Sequence, residues 1–199
     1  MRLPLLAFDM GNVLLPFDHN LACQRVADAC DVEPADVYRA VIDSRLEEAF
    51  ERGLLTPIEF TIEVSKRLNT SLDMSWLKAA WSDIFRADQE ILELVAELQD
   101  HCELHLISNT NVWHFTHASA KFRILRYFEK RTLSYEVCAF KPDSKMFKYI
   151  ADIVSSGRLA VYIDDIAHYV EAACAFGAKG YVFSSCDALR SHLNELNLL

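Results

Sequence analysis

The stretch LPLLAFDMGNVLL, residues 3–15, decides the fold. It opens with an almost unbroken apolar run over residues 3–8, and this run ends at the acid Asp9. A continuous apolar run of this length is typical of a β-strand that is buried on both faces of a parallel sheet. We therefore expect a central strand that presents Asp9 at its carboxyl end.

Similar apolar runs recur along the chain, at residues 104–107, 159–163 and 180–183, with a weaker one at 131–133. Segments with helical spacing of apolar residues lie between or beside them, at residues 89–98, 145–154 and 166–176. Alternation of strands and helices predicts an α/β fold, with a Rossmann-like parallel sheet that carries helices on both faces.

Residues 17–87 interrupt this alternation, because they contain helical patterns and no buried-strand run. We predict helices at residues 20–29, 34–51, 57–68 and 73–85, with helix starts near Asp36, Thr56 and Asp73. The sequence therefore predicts a core domain made of residues 1–16 and 88–199, and a helical cap made of residues 17–87 inserted after the first strand.

Composition excludes several classes of function. The 199 residues carry a formal net charge of −9, which disfavours binding to nucleic acid or to an anionic membrane. No apolar run is long enough to span a bilayer or to act as a signal peptide, and the six cysteines lack zinc-site spacing. We expect a soluble cytoplasmic protein with free thiols, either a monomer or a homodimer.

Polar residues follow the predicted strands at the edge where open parallel sheets bind ligands. Asp9, Ser108 and the pair Asp164–Asp165 each come at a strand end, and Lys141 precedes a proline, Pro142, that we interpret as the first residue of a helix. Three carboxylates near one point repel one another, and a set of oxygen ligands suits Mg²⁺. This chemistry predicts attack on a phosphoryl group by a carboxylate, with a lysine and a hydroxyl binding the phosphoryl oxygens.

Four strings resemble the motifs of the haloacid-dehalogenase-like (HAD) superfamily, and they occur in that family's order. They are FDMGNVL at residues 8–14, ISNTN at 107–111, FKPD at 140–143 and YIDD at 162–165. Each string alone is a weak signal, but four in order are specific. The opening string and the segment ERGLLTPIEF, residues 51–60, further resemble bacterial α-glucose-1-phosphate phosphatases.

The resemblance implies a role for each matching residue. Asp9 would be the nucleophile and a magnesium ligand, and the backbone carbonyl of Gly11 would also bind the metal. Asp164 and Asp165 would complete the metal site, one directly and one through water, in an order that the sequence leaves open. The implied cofactor is Mg²⁺, and the implied partner is a small phosphorylated substrate.

The resemblance also assigns the phosphate-binding residues. Ser108, Asn109 and Lys141 would bind the phosphate, and Lys141 would take part in catalysis.

Gly11 is the main departure from the pattern, because phosphatases of the superfamily usually carry a second Asp at this position as acid and base. General acid–base catalysis contributes about 10²- to 10⁴-fold. Asp18 or His19 could replace that acid, although we interpret Asp18 as a helix N-cap and His19 as a surface residue. Two alternatives to a phosphatase therefore stay open: a binding protein with weak or no turnover, and a 2-haloacid dehalogenase.

Overall fold

A computed structural model describes residues 3–199, so the first two residues of the predicted core domain lie outside the described part. Its centre is a five-stranded sheet in which every neighbouring pair is parallel and the strand order is β3-β2-β1-β4-β5. The strands are β1 (Leu5–Phe8), β2 (Glu103–Ser108), β3 (Lys130–Leu133), β4 (Ala160–Asp164) and β5 (Lys179–Val182). This architecture confirms the predicted α/β class.

The central strand β1 is fully buried, as its apolar run predicts. Its last residue, Phe8, pairs with Leu106 of β2 and with Ile163 of β4. The next backbone N–H, that of Asp9, donates to the Ile163 carbonyl over 2.9 Å. This register brings the carboxyl ends of β1, β2 and β4 to the same edge of the sheet.

Five helices lie between β1 and residue 88. They are α1 (His19–Cys30), α2 (Pro34–Tyr38), α3 (Leu46–Glu51), α4 (Pro57–Arg67) and α5 (Met74–Ser82). Asp18 caps α1, because its side chain accepts a hydrogen bond from the Asn20 backbone N–H over 2.9 Å. The predicted caps Thr56 and Asp73 are likewise confirmed.

The single helix predicted for residues 34–51 is wrong. After α2 the chain forms a π-helical turn (Arg39–Asp43), and Arg45 then adopts a left-handed conformation with a φ of 59° before α3 begins. Contacts distant in sequence hold this break, since Arg67 donates to the Ala40 carbonyl over 2.9 Å. The predicted start at Asp36 is also wrong, because α2 already begins at Pro34.

Six further helices flank the sheet: α6 (Gln89–Leu98), α7 (Val112–Lys121), α8 (Ser134–Val137), α9 (Lys148–Ser155), α10 (Ala167–Ala175) and α11 (Cys186–Glu195). Alternate residues of β1 belong to different hydrophobic clusters, Leu6 and Phe8 to one and Leu5 and Ala7 to the other. Helices α6 and α11 contribute to the first cluster, and α9 and α10 to the second. The sheet therefore carries helices on both faces, as predicted.

The interpretation of Pro142 as the first residue of a helix is wrong. The Lys141–Pro142 peptide bond is cis. A 3₁₀ turn (Ser144–Phe147) begins only after Asp143, whose side chain accepts a hydrogen bond from the Lys145 backbone N–H and so caps the turn. Helix α9 follows that turn directly.

Aromatic side chains join the helical segment to the core. Phe50 and Phe60 stack with ring centroids 4.5 Å apart, and Trp113 of α7 packs edge-on against both. Trp81 is fully buried in the same cluster, whereas Trp76 is 39% exposed. The division into a core and a cap at residues 17 and 88 stays a prediction.

Among the described residues, no helix combines the length and the apolar character that crossing a bilayer requires. All six cysteines are free.

Candidate functional site

Three carboxylates meet at the carboxyl edge of the sheet. One oxygen each of Asp9, Asp164 and Asp165 lies within 4.8 Å of the other two. Asp9 follows β1, Asp164 ends β4, and Asp165 comes next in the chain. The parallel register thus brings together residues that are more than 150 positions apart in the sequence.

Lys141 places a buried positive charge against two of these carboxylates. Its Nζ lies 2.8 Å from Asp9 Oδ1 and 2.6 Å from Asp164 Oδ2. The lysine is only 2% exposed. A buried ammonium of this kind is stabilised only where opposite charges surround it, and the same contacts raise the pKa of Lys141 against the effect of its burial.

Both oxygens of Asp164 already have hydrogen-bond donors. Oδ2 accepts from Lys141 and from the Tyr162 hydroxyl, and Oδ1 accepts from the Ile166 backbone N–H over 2.9 Å. Asp165 is less constrained, since within residues 3–199 its side chain has a single hydrogen-bond contact, from the Asn12 side-chain amide at 3.4 Å, and it faces a cavity. The two acids therefore differ in how freely they can bind a further ligand.

Burial, with a contribution from the nearby Asp164, raises the pKa of Asp9 to about 7 against the opposing effect of Lys141. Burial also raises the pKa of Asp165. Asp9 Oδ1 is buried and accepts no hydrogen bond, because its contact with Lys141 has the distance of an ion pair without hydrogen-bond geometry. One lysine thus leaves negative charge uncompensated among three acids, which is what a bound cation would correct.

A cavity of about 200 Å³ opens beside these carboxylates. Asp9, Lys141 and Asp165 line it from the sheet edge. The rest of its wall is mostly apolar and aromatic. Phe17, Ile84 and Phe85 come from the helical segment and its connections, and Phe140, Ile166 and Tyr169 come from the part of the chain that follows β2. Charged and polar groups thus line a cavity whose wall is largely apolar, as in many small-molecule sites.

The predicted phosphate-binding residues do not all face this cavity. Asn109 lines it, and its Oδ1 accepts a hydrogen bond from the Lys141 backbone N–H over 2.8 Å. Ser108 is 1% exposed and absent from the cavity wall, with its hydroxyl directed at the Asn109 carbonyl at 3.4 Å. The role of Ser108 therefore stays a prediction.

Gly11 lines the cavity two residues after Asp9. A Cβ at this position would lie 2.7 Å from Cε1 of Phe17, closer than carbon atoms can approach. The ring of Phe17 therefore occupies the space into which a side chain at residue 11 would project.

The cavity wall contains further residues that the sequence analysis did not assign to the site. Glu51 lines the cavity from the end of α3, and burial raises its pKa well above 4.5, with Glu47 and Asp9 adding to the effect. Tyr169 contacts the Asn109 side-chain amide at 3.4 Å. His19 also lines the cavity and is not the surface residue that we expected. Glu51 and His19 belong to the helical segment, whose residues carry no local pattern that would have marked them.

Solved structures with the same fold come from the HAD family. A HAD family enzyme from Bacteroides thetaiotaomicron is 24% identical, with a TM-score of 0.77 over 92% of this chain and 94% of its own. A predicted HAD-like family hydrolase from Porphyromonas gingivalis is 22% identical, with a TM-score of 0.78 over 96% of this chain and 97% of its own. The chain therefore has the HAD fold, as the four strings predict.

A more distant structural neighbour has another chemistry. L-2-haloacid dehalogenase from Xanthobacter autotrophicus, solved with chloropropionic acid covalently bound, is 15% identical with a TM-score of 0.63, over all of this chain and 85% of its own. No protein-family model matches the sequence, and no curated protein is significantly similar to it.

Proposed function

On this HAD fold, we propose that the chain is a Mg²⁺-dependent phosphohydrolase that cleaves small phosphomonoesters, sugar phosphates among them, through an aspartyl-phosphate on Asp9. One observation carries the proposal: the oxygens of Asp9, Asp164 and Asp165 converge within 4.8 Å, with Lys141 2.8 Å from Asp9. The crystallised Bacteroides enzyme, 23% identical in this form, binds magnesium and inorganic phosphate, which supports the assignment.

The residues present fit a magnesium ion. All the side-chain donors are carboxylate oxygens, the ligands that Mg²⁺ prefers, and the single charge of Lys141 beside Asp9 Oδ1 does not balance the three acids. Asp9, Asp164, Asp165 and the backbone carbonyl of Gly11 would hold the ion. When bound, it would neutralise phosphoryl charge and keep the Asp9 carboxylate ionised.

The chemistry of the chain itself then follows from the geometry. A carboxylate oxygen of Asp9 attacks phosphorus, and the bond from phosphorus to the leaving oxygen breaks. Lys141 neutralises charge on the phosphoryl oxygens, and Asn109 and Ser108 are proposed to donate hydrogen bonds to them. Water then attacks the same phosphorus, the bond to Asp9 breaks, and inorganic phosphate leaves with the carboxylate regenerated.

The test is release of inorganic phosphate from a panel of acyl, anomeric, aryl and alkyl phosphates, with Mg²⁺ and with chelator. We expect turnover only with the metal, and none in Asp9→Asn, because an amide is not a nucleophile here. Asp28→Asn, at an exposed position of α1, is the matched control and should retain full activity. Absence of turnover on every ester by the wild-type protein would reject the proposal.

The dehalogenase remains the second candidate, because the Xanthobacter enzyme shares the fold and forms a covalent adduct with chloropropionic acid. Halide displacement needs no divalent cation, so the uncompensated cluster of three carboxylates argues against it. Chloride release from 2-chloropropionate in the presence of chelator would favour this function over a phosphatase. A binding protein without turnover would instead take up Mg²⁺ and phosphate and release no product.

A further inference from the structure

A second polar cluster lies beside the cavity and has no part in the chemistry above. Its centre is Glu47 of α3, which is 4% exposed. Glu47 Oε1 accepts a hydrogen bond from Trp81 Nε1 over 2.9 Å, and Oε2 lies 3.6 Å from His19 Nδ1. Burying a carboxylate this deeply costs free energy of folding unless hydrogen-bond donors or positive charges compensate it.

The cluster resembles a metal site in composition, since ligand atoms of His19, Glu47 and His114 lie within 4.8 Å of one another. The hydrogen bonds of His114 exclude that use. Its Nδ1 faces the Asn111 side-chain nitrogen at 3.0 Å, and its Nε2 faces the Trp81 carbonyl at 3.1 Å. Both ring nitrogens are therefore engaged, leaving none for a metal.

The protonation state of His114 follows from the same bonds. Asn111 Oδ1 accepts from the backbone N–H groups of Trp113 and His114, which fixes its amide nitrogen as the donor to the ring. His114 is then neutral, with its proton on Nε2, and burial lowers its pKa to about 3. His114 is a structural residue that cannot exchange protons with a substrate.

His19 is placed differently. Its side chain is 25% exposed and lines the cavity that also contains Asp9. Within residues 3–199, its ring makes no hydrogen bond, and its Nδ1 has the contact with Glu47. The Nδ1 edge of the imidazole thus lies beside a buried carboxylate at ion-pair distance, and the other nitrogen stays available to a ligand.

Phe17 links this arrangement to the departure at Gly11. Its ring fills the space of a side chain at residue 11 and packs against His19, with ring centroids 5.0 Å apart. The Phe17 ring therefore fills the space that an acidic side chain at residue 11 would need. The His19 imidazole packs against that ring and lines the same cavity.

We propose that His19 is the proton-transfer residue of this site and that Glu47, anchored by Trp81, is its positioning residue. The proposal rests on the phosphohydrolase function proposed above. Histidine is the side chain that enzymes use most often to donate and accept protons, and a carboxylate beside the ring favours its protonated form.

Protons and bonds balance over the two steps. In the first, protonated His19 gives its proton to the leaving oxygen as that oxygen separates from phosphorus, and the phosphoryl group bonds to Asp9. In the second, neutral His19 takes a proton from the attacking water, whose oxygen bonds to phosphorus as the bond to Asp9 breaks. The cycle consumes one water and returns His19 to its protonated form.

Glu51 is the rival for this role, because it lines the same cavity. Its carboxylate makes no hydrogen bond within the described part of the chain, whereas its backbone carbonyl accepts one from Ser134 over 2.6 Å. Nothing thus orients the Glu51 carboxyl group, while His19 has an anchored partner. We therefore assign proton transfer to His19 and treat Glu51 as the alternative outcome.

The test compares His19→Asn with wild type on an alkyl phosphate and on 4-nitrophenyl phosphate, whose leaving group needs no proton. We expect kcat/KM to fall about 10²- to 10⁴-fold for the alkyl ester, with a much smaller loss for the aryl ester. Phosphorylated Asp9 should also accumulate in His19→Asn with the aryl ester, because water activation is lost. Circular dichroism and thermal unfolding verify that the variant is folded.

Glu47→Gln should lower kcat for the alkyl ester with little change in KM, since it acts through His19. The matched controls are Glu48→Gln, next to Glu47 on α3, and His117→Asn, a half-exposed histidine paired with Asp83. Both controls should keep the wild-type ratio of alkyl to aryl activity.

Three outcomes would overturn the inference. They are equal losses on both esters in His19→Asn, a leaving-group-dependent loss confined to Glu51→Gln, and no accumulation of the phosphorylated intermediate. If the wild type hydrolyses no phosphomonoester, the phosphohydrolase proposal and this inference are both rejected. If the wild type hydrolyses phosphomonoesters but His19→Asn loses equal activity on the alkyl and aryl esters, only the role of His19 is rejected.

Discussion

Lys141 Nζ and Asp164 Oδ2 are 2.6 Å apart, and neither residue is more than 2% exposed. The pair forms the base of the site, where Asp9 is the second acid in contact with the lysine. Its burial means that each charge depends on the other, because water cannot replace the lost partner.

Lys141→Met should therefore be strongly destabilising. It leaves Asp9 and Asp164 without their buried counter-charge, which costs about 3–5 kcal/mol in comparable pairs. Urea unfolding in chelator measures the change in the free energy of unfolding. Lys145→Met, four residues away at an exposed position, is the control. An equal decrease in the free energy of unfolding in this variant would contradict the argument from the buried ion pair.

Magnesium should stabilise the folded protein, because it binds the carboxylate cluster only when the sheet has assembled it. At a hundredfold excess over the dissociation constant we expect a gain of about 2.7 kcal/mol, seen as a rise in Tm. Asp165→Asn should reduce that rise sharply, and Asp187→Asn, at an exposed position of α11, should not. An undiminished rise in Asp165→Asn would remove Asp165 from the metal site.

Restoring the usual acid by Gly11→Asp should not increase activity. The new Cβ would meet the Phe17 ring at 2.7 Å, and overpacking of this kind costs about 1–3 kcal/mol. We expect a lower Tm for Gly11→Asp and partial recovery in the double variant with Phe17→Leu. Phe17→Leu alone is the control, and a Gly11→Asp variant with wild-type Tm would contradict the steric argument.

Acid should remove a stabilising contribution from Glu103. Its carboxylate accepts hydrogen bonds from three side chains: Tyr149, Lys130 and Arg158. Burial opposes ionisation, but these bonds outweigh it and lower the pKa of Glu103 from 4.5 to about 2. The lowered pKa favours folding above pH 4.5, and this benefit disappears as the pH falls towards 2.

Glu103→Gln should therefore cost on the order of 2 kcal/mol at pH 7 and much less near pH 2.5. Urea unfolding of the variant and of wild type at both pH values measures the difference. Glu195→Gln, whose side chain is 77% exposed, should show almost no difference at either pH. If the difference in the free energy of unfolding between wild type and Glu103→Gln does not decrease in acid, the pKa argument is contradicted.

Phe60→Ala should destabilise the whole chain and not the helical segment alone. Phe60 is fully buried against Phe50 and Trp113, and truncating a buried Phe costs about 3–5 kcal/mol. Because Trp113 belongs to α7, we expect one unfolding transition by tryptophan fluorescence and by circular dichroism. Ile62→Ala, 56% exposed on the same helix, should change the stability by less than about 1 kcal/mol.

The sheet and the acids at its carboxyl edge were predictable because their signals are local. Each buried strand is a short apolar run, and Asp9, Ser108 and Asp164 come directly at the ends of such runs. Parallel pairing then makes the convergence of these residues a matter of topology.

The wall of the cavity was not predictable in the same way. Glu47 meets Trp81 over a separation of 34 residues, and the break before α3 depends on a contact from Arg67 to Ala40. Neither contact produces a periodic pattern in the sequence. The spacing of apolar residues indicates which face of a helix is buried, but it does not indicate where the helix is interrupted. The expectation of a surface position for His19 was wrong for this reason, because its neighbours Glu47 and His114 are distant in sequence.

The edge-on packing of Trp113 against Phe50 and Phe60 also bears on how this site can diversify. Swapping residues 17–87 for the matching segment of a relative would leave the Trp113 indole facing rings of another shape. A chimera that keeps this packing would therefore have to exchange α7 together with the segment.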